Sequence, residues 1–114
     1  MVEQKLRVWW IPQIGIERPF YVPVGSPEEG KKIIDLLSAY DCFQYNQNVK
    51  PDYCNTGGLQ MFDEEEGEWV DWIYDENDGY YEESELDEYC EEMSPHAKEL
   101  EEFARAVLSQ VTFD

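Results

Sequence analysis

Basic residues are scarce in this sequence of 114 residues, which has eight lysines and arginines against 27 aspartates and glutamates. The formal net charge of −19 at pH 7 repels nucleic acids and anionic membrane surfaces. We therefore expect no direct binding to nucleic acid or membrane. The expected partner is a protein with a basic surface.

Long apolar runs are also missing, because no run approaches the roughly 20 residues that a membrane-spanning helix needs. The three cysteines are an odd number without a CxxC spacing, and Met1 is followed by Val-Glu-Gln-Lys rather than by an apolar signal segment. These features predict a protein of a reducing, cytoplasmic compartment.

Catalytic and metal-binding patterns are equally scarce. His96 is the only histidine, no serine or cysteine motif accompanies it, and there is no glycine-rich phosphate loop. The cysteines and His96 lack the paired spacing of zinc ligands. Residues 76–85 resemble the later part of a calcium-binding EF-hand loop, but Tyr74 stands where the first aspartate ligand belongs. We therefore expect no enzymatic activity, no metal and no cofactor.

Aromatic residues, by contrast, are abundant, with four tryptophans, eight tyrosines and five phenylalanines. Acidic chains that stay disordered have few aromatic residues, so this composition predicts a folded protein. The length is typical of one domain, and no linker or internal repeat divides the chain. We expect a single domain over residues 1–114.

The N-terminal segment has the periodicity of β-strands. Residues 5–11 alternate so that Leu6, Val8 and Trp10 share one face, and residues 20–24 alternate in the same way. The two segments predict an antiparallel hairpin.

The opposite face of this hairpin also carries large apolar side chains, namely those of Trp9, Ile11 and Tyr21. Such a face is either covered within the molecule or used as a contact surface. We expect the C-terminal helix to cover it, and a homo-oligomer or partner contact is the alternative.

A helix follows the hairpin. Ser26 can cap the free backbone amides and Pro27 suits the first helical turn, so the sequence predicts a helix that continues to about Tyr40. The aromatic and amide-rich segment 43–56 then predicts a short strand followed by an irregular loop.

The second half predicts another hairpin and two helices. Segments 58–62 and 68–74 flank the polar turn 63–67. A short acidic helix is predicted at 84–93, and a longer amphipathic helix begins at Ser94. The element order is therefore β-β-α-β-β-β-α-α. The predicted fold class is α+β, with a small, mostly antiparallel sheet of four to five strands, one helix after the first hairpin and two C-terminal helices.

The acidic residues are concentrated in one segment. Residues 63–102 contain 19 of them and a single base, Lys98, whereas residues 1–62 have a net charge of −1. This acidic surface segment, 63–102, is interleaved with aromatic residues, which are typical of protein interfaces. Its charge density approaches that of a nucleic acid. Either the segment binds a basic, nucleic-acid-binding surface of another protein, or it only keeps the protein soluble.

The candidate partner-binding residues are the acids of this segment and two of its tryptophans. They are Asp63, Glu64, Glu65, Glu66, Glu68, Asp71, Asp75, Asp78, Glu85, Glu88, Glu91, Glu92, Trp69 and Trp72.

A second hypothesis is a sensor or sponge for a small ligand. The segment 43–55 combines aromatic rings with amides, which can stack on a planar molecule and form hydrogen bonds to it. The candidate ligand-binding residues are Trp9, Tyr45, Asn48, Lys50 and Tyr53.

Four motifs together resemble a family of small proteins encoded by tailed bacteriophages, some of which are labelled superinfection exclusion protein. They are Arg7-Val-Trp-Trp-Ile-Pro-Gln13, Phe20-Tyr-Val-Pro-Val24, Tyr40-Asp-Cys-Phe-Gln-Tyr45 and Lys50-Pro-Asp-Tyr-Cys-Asn-Thr-Gly-Gly-Leu59. The resemblance covers about residues 5–75. It implies a phage protein that works in the host cytoplasm and acts by binding rather than by catalysis.

The leading hypothesis combines this resemblance with the charge. It is a non-enzymatic inhibitor of a host protein, acting in host takeover or against host defence, whose acidic face mimics nucleic acid. The alternatives are the small-ligand hypothesis and superinfection exclusion itself.

Overall fold

The main sheet of the protein is antiparallel and has four strands. The computed structural model describes residues 5–11, 18–47, 55–77 and 79–111. The strands of this sheet are β1 (Leu6–Ile11), β2 (Phe20–Val24), β3 (Thr56–Asp63) and β4 (Glu68–Asp71), in the spatial order β2-β1-β3-β4. The predicted α+β class is confirmed, and so are both hairpins of this sheet.

Three helices and a second, smaller sheet complete the described structure. The helices are α1 (Pro27–Asn46), α2 (Leu86–Glu92) and α3 (Ala97–Leu108). The smaller sheet pairs β5 (Ile73–Glu76) with β6 (Gly79–Glu82), and a 3-10 turn at Glu83–Glu85 leads from β6 into α2. The helix after the first hairpin and the two C-terminal helices are confirmed.

Helix α1 starts as predicted but ends later. The Ser26 hydroxyl accepts a hydrogen bond from the Glu29 amide at 3.1 Å, which satisfies one of the free donors of the first turn. The helix then continues past Tyr40 to Asn46. The strand predicted within 43–56 is therefore wrong for residues 43–46, where no glycine or proline stops the helix. Residues 48–54 lie outside the described residues.

The predicted strand 68–74 is interrupted at Trp72. The Trp72 amide donates a hydrogen bond to the Leu59 carbonyl at 3.0 Å, and the indole is only 3 % exposed. The chain then leaves the main sheet and forms the β5–β6 hairpin, in which Tyr74 lies opposite Tyr81. The sequence prediction missed this hairpin because the acids around it resemble those of the following helix.

The core lies on the inner face of the main sheet, which carries Leu6, Val8 and Leu59, all 6 % exposed or less. It is continuous with Leu86 of α2 and Leu100 of α3, which belong to the same buried cluster. Helix α1 lies against this face.

Helix α3 packs against α1 and α2 rather than on the outer face of the first hairpin. Its Phe103 ring lies 4.8 Å from the Lys32 ammonium of α1. The prediction that the C-terminal helix covers Trp9, Ile11 and Tyr21 is therefore wrong. The apolar stripe of α3 packs instead against α1 and α2, which form a helix layer on the other side of the sheet.

Within the described residues, no helix combines the length with the apolar character that crossing a bilayer demands.

Candidate functional site

The first group of acids is presented by the turn between β3 and β4. One Asp63 side-chain oxygen accepts hydrogen bonds from the amides of Glu65 at 3.0 Å and Glu66 at 3.2 Å. Gly67 closes the turn with φ of 68°, and its amide bonds to the Asp63 carbonyl at 2.7 Å. Asp63 thus shapes the turn, whereas Glu64, Glu65 and Glu66 are exposed to solvent.

A second group of acids surrounds a cluster of tyrosine rings that joins the β5–β6 hairpin to α2. The ring centroids of Tyr74, Tyr81 and Tyr89 lie 4.8 to 6.0 Å from each other. Trp72 packs edge-on against Tyr89 at 5.2 Å. Contacts of this kind add to the burial free energy of the rings, so the cluster fixes the hairpin relative to the helix.

The hydroxyl groups of this region orient neighbouring carboxylates. Tyr81 donates a hydrogen bond to Glu92 at 2.7 Å, and Tyr74 donates one to Glu76 at 3.2 Å. The bond to Glu92 raises the pKa of Tyr81 to about 12, so this tyrosine remains a neutral donor. We call Tyr74, Tyr80, Tyr81, Glu76, Glu82 and Glu92, together with the exposed acids of α2, the tyrosine–carboxylate surface.

Most of the predicted partner-binding acids are accessible, but they do not form a single group. Those of the turn and of β4 lie at the main sheet, and the others lie at the hairpin and α2. Asp63 and Glu85 are half-buried; Glu85 accepts a hydrogen bond from the Glu82 amide at 3.0 Å and so caps the 3-10 turn. Asp78 lies outside the described residues. The remaining predicted acids are exposed, namely Glu64, Glu65, Glu66, Glu68, Asp71, Asp75, Glu88, Glu91 and Glu92.

The two predicted tryptophans have different environments. Trp72 is buried in the core, where it meets Tyr89, so its prediction as an exposed partner contact is wrong. Trp69 is half-buried on the outer face of the main sheet, where its ring meets Phe62 edge-on at 5.4 Å.

The outer face of the main sheet is built around Arg7. The central guanidinium carbon lies 3.7 Å from the Tyr21 ring centroid and 4.2 Å from that of Trp69. Its Nε donates a hydrogen bond to the Gln60 side chain at 2.8 Å. Cross-strand register places all four residues on one face, and one residue comes from each strand. Nearby, the Lys5 ammonium lies 5.6 Å from the Phe62 ring. We call these six residues the outer sheet face.

A half-buried carboxylate closes the other end of this face. Glu83, in the 3-10 turn, accepts a hydrogen bond from the Trp9 indole at 3.0 Å and another from the backbone of Leu59. Burial raises the pKa of Glu83. Gly58 makes room for this carboxylate, because a methyl group there would overlap it.

The predicted small-ligand residues are not brought together. Trp9 points to the outer face, whereas Tyr45 belongs to α1, which covers the inner face. Asn48, Lys50 and Tyr53 lie outside the described residues. The structure therefore gives no common site for Trp9 and Tyr45.

The three helices enclose a cleft of about 510 Å³, lined by Lys31, Cys90 and Leu100 among others. Lys31 is paired with Asp35 at 2.7 Å and with Asp87 at 3.5 Å, so its charge is already compensated. Burial raises the pKa of Cys90 to about 12, which keeps this thiol protonated and unreactive. Among the described residues, no set of three histidine, cysteine or acidic side chains is placed to hold a metal ion.

Sequence reasoning missed Arg7, Gln60 and Glu83 as parts of a site. Strand alternation alone places Arg7 on the same face as Trp9 and Tyr21. The contribution of Gln60 and Glu83 depends on register and on a distant turn, which the sequence pattern does not specify.

Two comparisons with known proteins find matches, a protein family and a single phage protein, and the description of each names superinfection exclusion. The model of the family described as superinfection exclusion gene product 17 matches residues 5–95. A protein named superinfection exclusion protein, from Salmonella phage P22, is 52 % identical over 79 residues, which cover 60 % of this chain and 76 % of the relative. No solved structure matches the chain. The match to residue 95 extends the predicted resemblance, which ended near residue 75, through the β5–β6 hairpin and α2.

Proposed function

This chain belongs to the superinfection exclusion gene product 17 family, and we propose that it protects a bacterium that carries its phage from infection by a second phage. The observation that supports this most strongly is the family match over residues 5–95, which include the whole main sheet, α1, the β5–β6 hairpin and α2. The named phage relative supports the same function. The relatives favour this alternative over the leading sequence-based hypothesis of an inhibitor of host defence.

We propose further that exclusion works by non-enzymatic binding to a protein with a basic surface, in the cytoplasm. The tyrosine–carboxylate surface supports this proposal, because tyrosine hydroxyls hold Glu76 and Glu92 in fixed positions. Fixed charges lose less conformational entropy when a partner binds than mobile ones do. Exposed acids around neutral aromatic rings suit a cationic partner.

The test is a plating experiment with two matched triple variants. The protein is expressed from a plasmid in a permissive host, which is then challenged with a panel of tailed phages. We expect the wild type to lower the plating efficiency of at least one phage. Substituting Glu88, Glu91 and Glu92 of α2 by glutamine should weaken this exclusion on the order of tenfold or more, the effect of losing about 1.4 kcal/mol of binding free energy.

The control triple replaces Glu99, Glu101 and Glu102 by glutamine. These three substitutions remove the same amount of charge, but the residues are exposed on α3 and lie outside the family match. The control should exclude phage as the wild type does. If both triple variants lost exclusion to the same extent, the total charge of the protein rather than the tyrosine–carboxylate surface would be responsible. A wild-type protein that is well expressed and excludes no phage would overturn the proposed function.

A further inference from the structure

The outer sheet face holds an arginine in a fixed position at the surface. Arg7 lies between the rings of Tyr21 and Trp69, and Gln60 binds its Nε. Stacking and this hydrogen bond restrict the guanidinium before any partner arrives. Tyr21 remains 42 % exposed, so a partner can reach the rim of the site.

The charge of Arg7 is not compensated within the described part of the chain. Two other cations there do have carboxylate partners: Lys31 pairs with Asp35, and Arg105 pairs with Glu101 at 2.6 Å. Within the described residues, Arg7 forms one hydrogen bond, to the Gln60 amide oxygen, and no ion pair. Its terminal nitrogens therefore keep donors in the fork geometry that binds a carboxylate through two parallel hydrogen bonds.

We propose that the outer sheet face docks a segment of a partner protein that presents an aspartate or glutamate side chain to Arg7, with apolar neighbours resting on Tyr21 and Trp69. Charge complementarity supports this occupant, because the Arg7 guanidinium has no ion pair within the described residues. The residue types agree, since tyrosine, tryptophan and arginine dominate the binding energy of protein interfaces.

A carboxylate suits this site better than a phosphate group. A carboxylate is planar and can lie in the plane of the guanidinium between the two rings, whereas a tetrahedral phosphate is bulkier there. A phosphate also carries up to two negative charges, and the net charge of −19 repels these more strongly. The same repulsion disfavours a second copy of this chain as the occupant.

Recognition of a single carboxylate is compatible with the acidity of the whole protein. A carboxylate carries only one negative charge, and screening beyond about 8 Å at physiological ionic strength weakens its repulsion from the distant acids, so the contacts with Arg7 can exceed this repulsion. The same partner can carry basic residues elsewhere. Binding at Arg7 goes beyond the proposed function, because it is measured with the purified protein and does not require that the protein exclude a second phage.

The test begins with selection of a random peptide library, displayed on ribosomes, against the purified wild-type protein. We expect enriched peptides to share an aspartate or glutamate next to an apolar or aromatic residue. A synthetic peptide of this sequence should bind on the order of tenfold more weakly to Arg7→Gln. The Arg7→Lys variant should retain part of the affinity, because lysine keeps the charge but lacks the forked donor geometry.

The matched control is Lys32→Gln, because Lys32 also lies over an aromatic ring but belongs to the helix layer. It should bind the peptide as the wild type does. Thermal unfolding establishes that each variant is folded. If Arg7→Gln does not fold, the wild type is compared with peptides in which the acidic residue is replaced by its amide, and binding should fall to the same extent.

Four outcomes of the peptide experiments would overturn the inference. They are a selection that enriches nothing, enriched peptides without a shared acid, equal binding to folded Arg7→Gln, and tighter binding of a phosphoserine version of the peptide. Self-association that disappears in Arg7→Gln, measured by sedimentation, would assign the face to a second copy instead.

Discussion

The two adjacent tryptophans of β1 each donate an indole hydrogen bond to a carboxylate, on opposite faces of the sheet. Trp10 bonds to Asp41 of α1 at 3.0 Å on the inner face, and Trp9 bonds to Glu83 at 3.0 Å on the outer face. Strand alternation predicted that these rings point in opposite directions. It could not identify the acceptors, which lie 31 and 74 residues away along the chain.

The glycines opposite these tryptophans leave no space for a side chain. A methyl group at Gly57 would overlap the Trp10 ring and the backbone carbonyl of Trp9. We expect Gly57→Ala to lower the free energy of unfolding by about 3 kcal/mol or more, because the backbone atom cannot move aside cheaply. Urea denaturation measures the change.

The control for this substitution is Gly25→Ala. A methyl group at Gly25 makes only an ordinary contact of 3.5 Å with the Glu29 side chain. Its unfolding free energy should stay within about 0.5 kcal/mol of the wild type. A similar loss in both variants would argue against the close packing at Gly57.

Among the elements, the helices and the main sheet were predictable because each carries its own periodicity or cap. The end of α1 was not predictable in the same way, since Phe43 and Tyr45 favour strands locally and no glycine or proline marks the end of the helix. The β5–β6 hairpin was also missed. Its tyrosines contact each other across the strands, and they contact Tyr89 of α2. Local sequence periodicity does not indicate such contacts between separate elements.

The joint between α1 and β1 depends on Asp41, which is 5 % exposed. Asp41→Ala would leave the buried Trp10 indole without this acceptor, at an expected cost of about 2 kcal/mol or more. Asp41→Asn keeps a side-chain oxygen that can accept the bond and should cost less. Thermal unfolding of the two variants measures the difference, and equal destabilisation would contradict a hydrogen-bonding role.

At the scale of the whole molecule, charge and burial make stability fall as pH rises. Burial raises the pKa of Glu83, so the folded state binds this proton more tightly than the unfolded state does. The contribution of Glu83 is therefore greatest at low pH and is lost as pH rises through its folded pKa. On the alkaline side, the Cys90 thiol with its pKa of about 12 ionises more easily in the unfolded state, which again favours unfolding.

We expect the melting temperature to fall as pH rises from about 4.5, the ordinary pKa of Glu83, and to fall again above about pH 9, the ordinary pKa of Cys90. We also expect it to rise by several degrees between about 0.02 M and about 0.5 M NaCl at neutral pH. Salt screens the repulsion among the acids of residues 63–102, which hold 18 of the 19 net negative charges. Scanning calorimetry provides both measurements. The variant with glutamine at 99, 101 and 102 should depend less on salt, and an unchanged dependence would show that these charges do not repel measurably.

The alternation along β1 also bears on how such a protein can change its target. Leu6, Val8 and Trp10 belong to the core, whereas Lys5 and Arg7 belong to the outer sheet face. Saturation mutagenesis should therefore show a period of two, in which core positions reject most replacements, whereas Lys5 and Arg7 tolerate more of them. Variation at these positions would let the proposed docking surface change its partner while the scaffold stays the same.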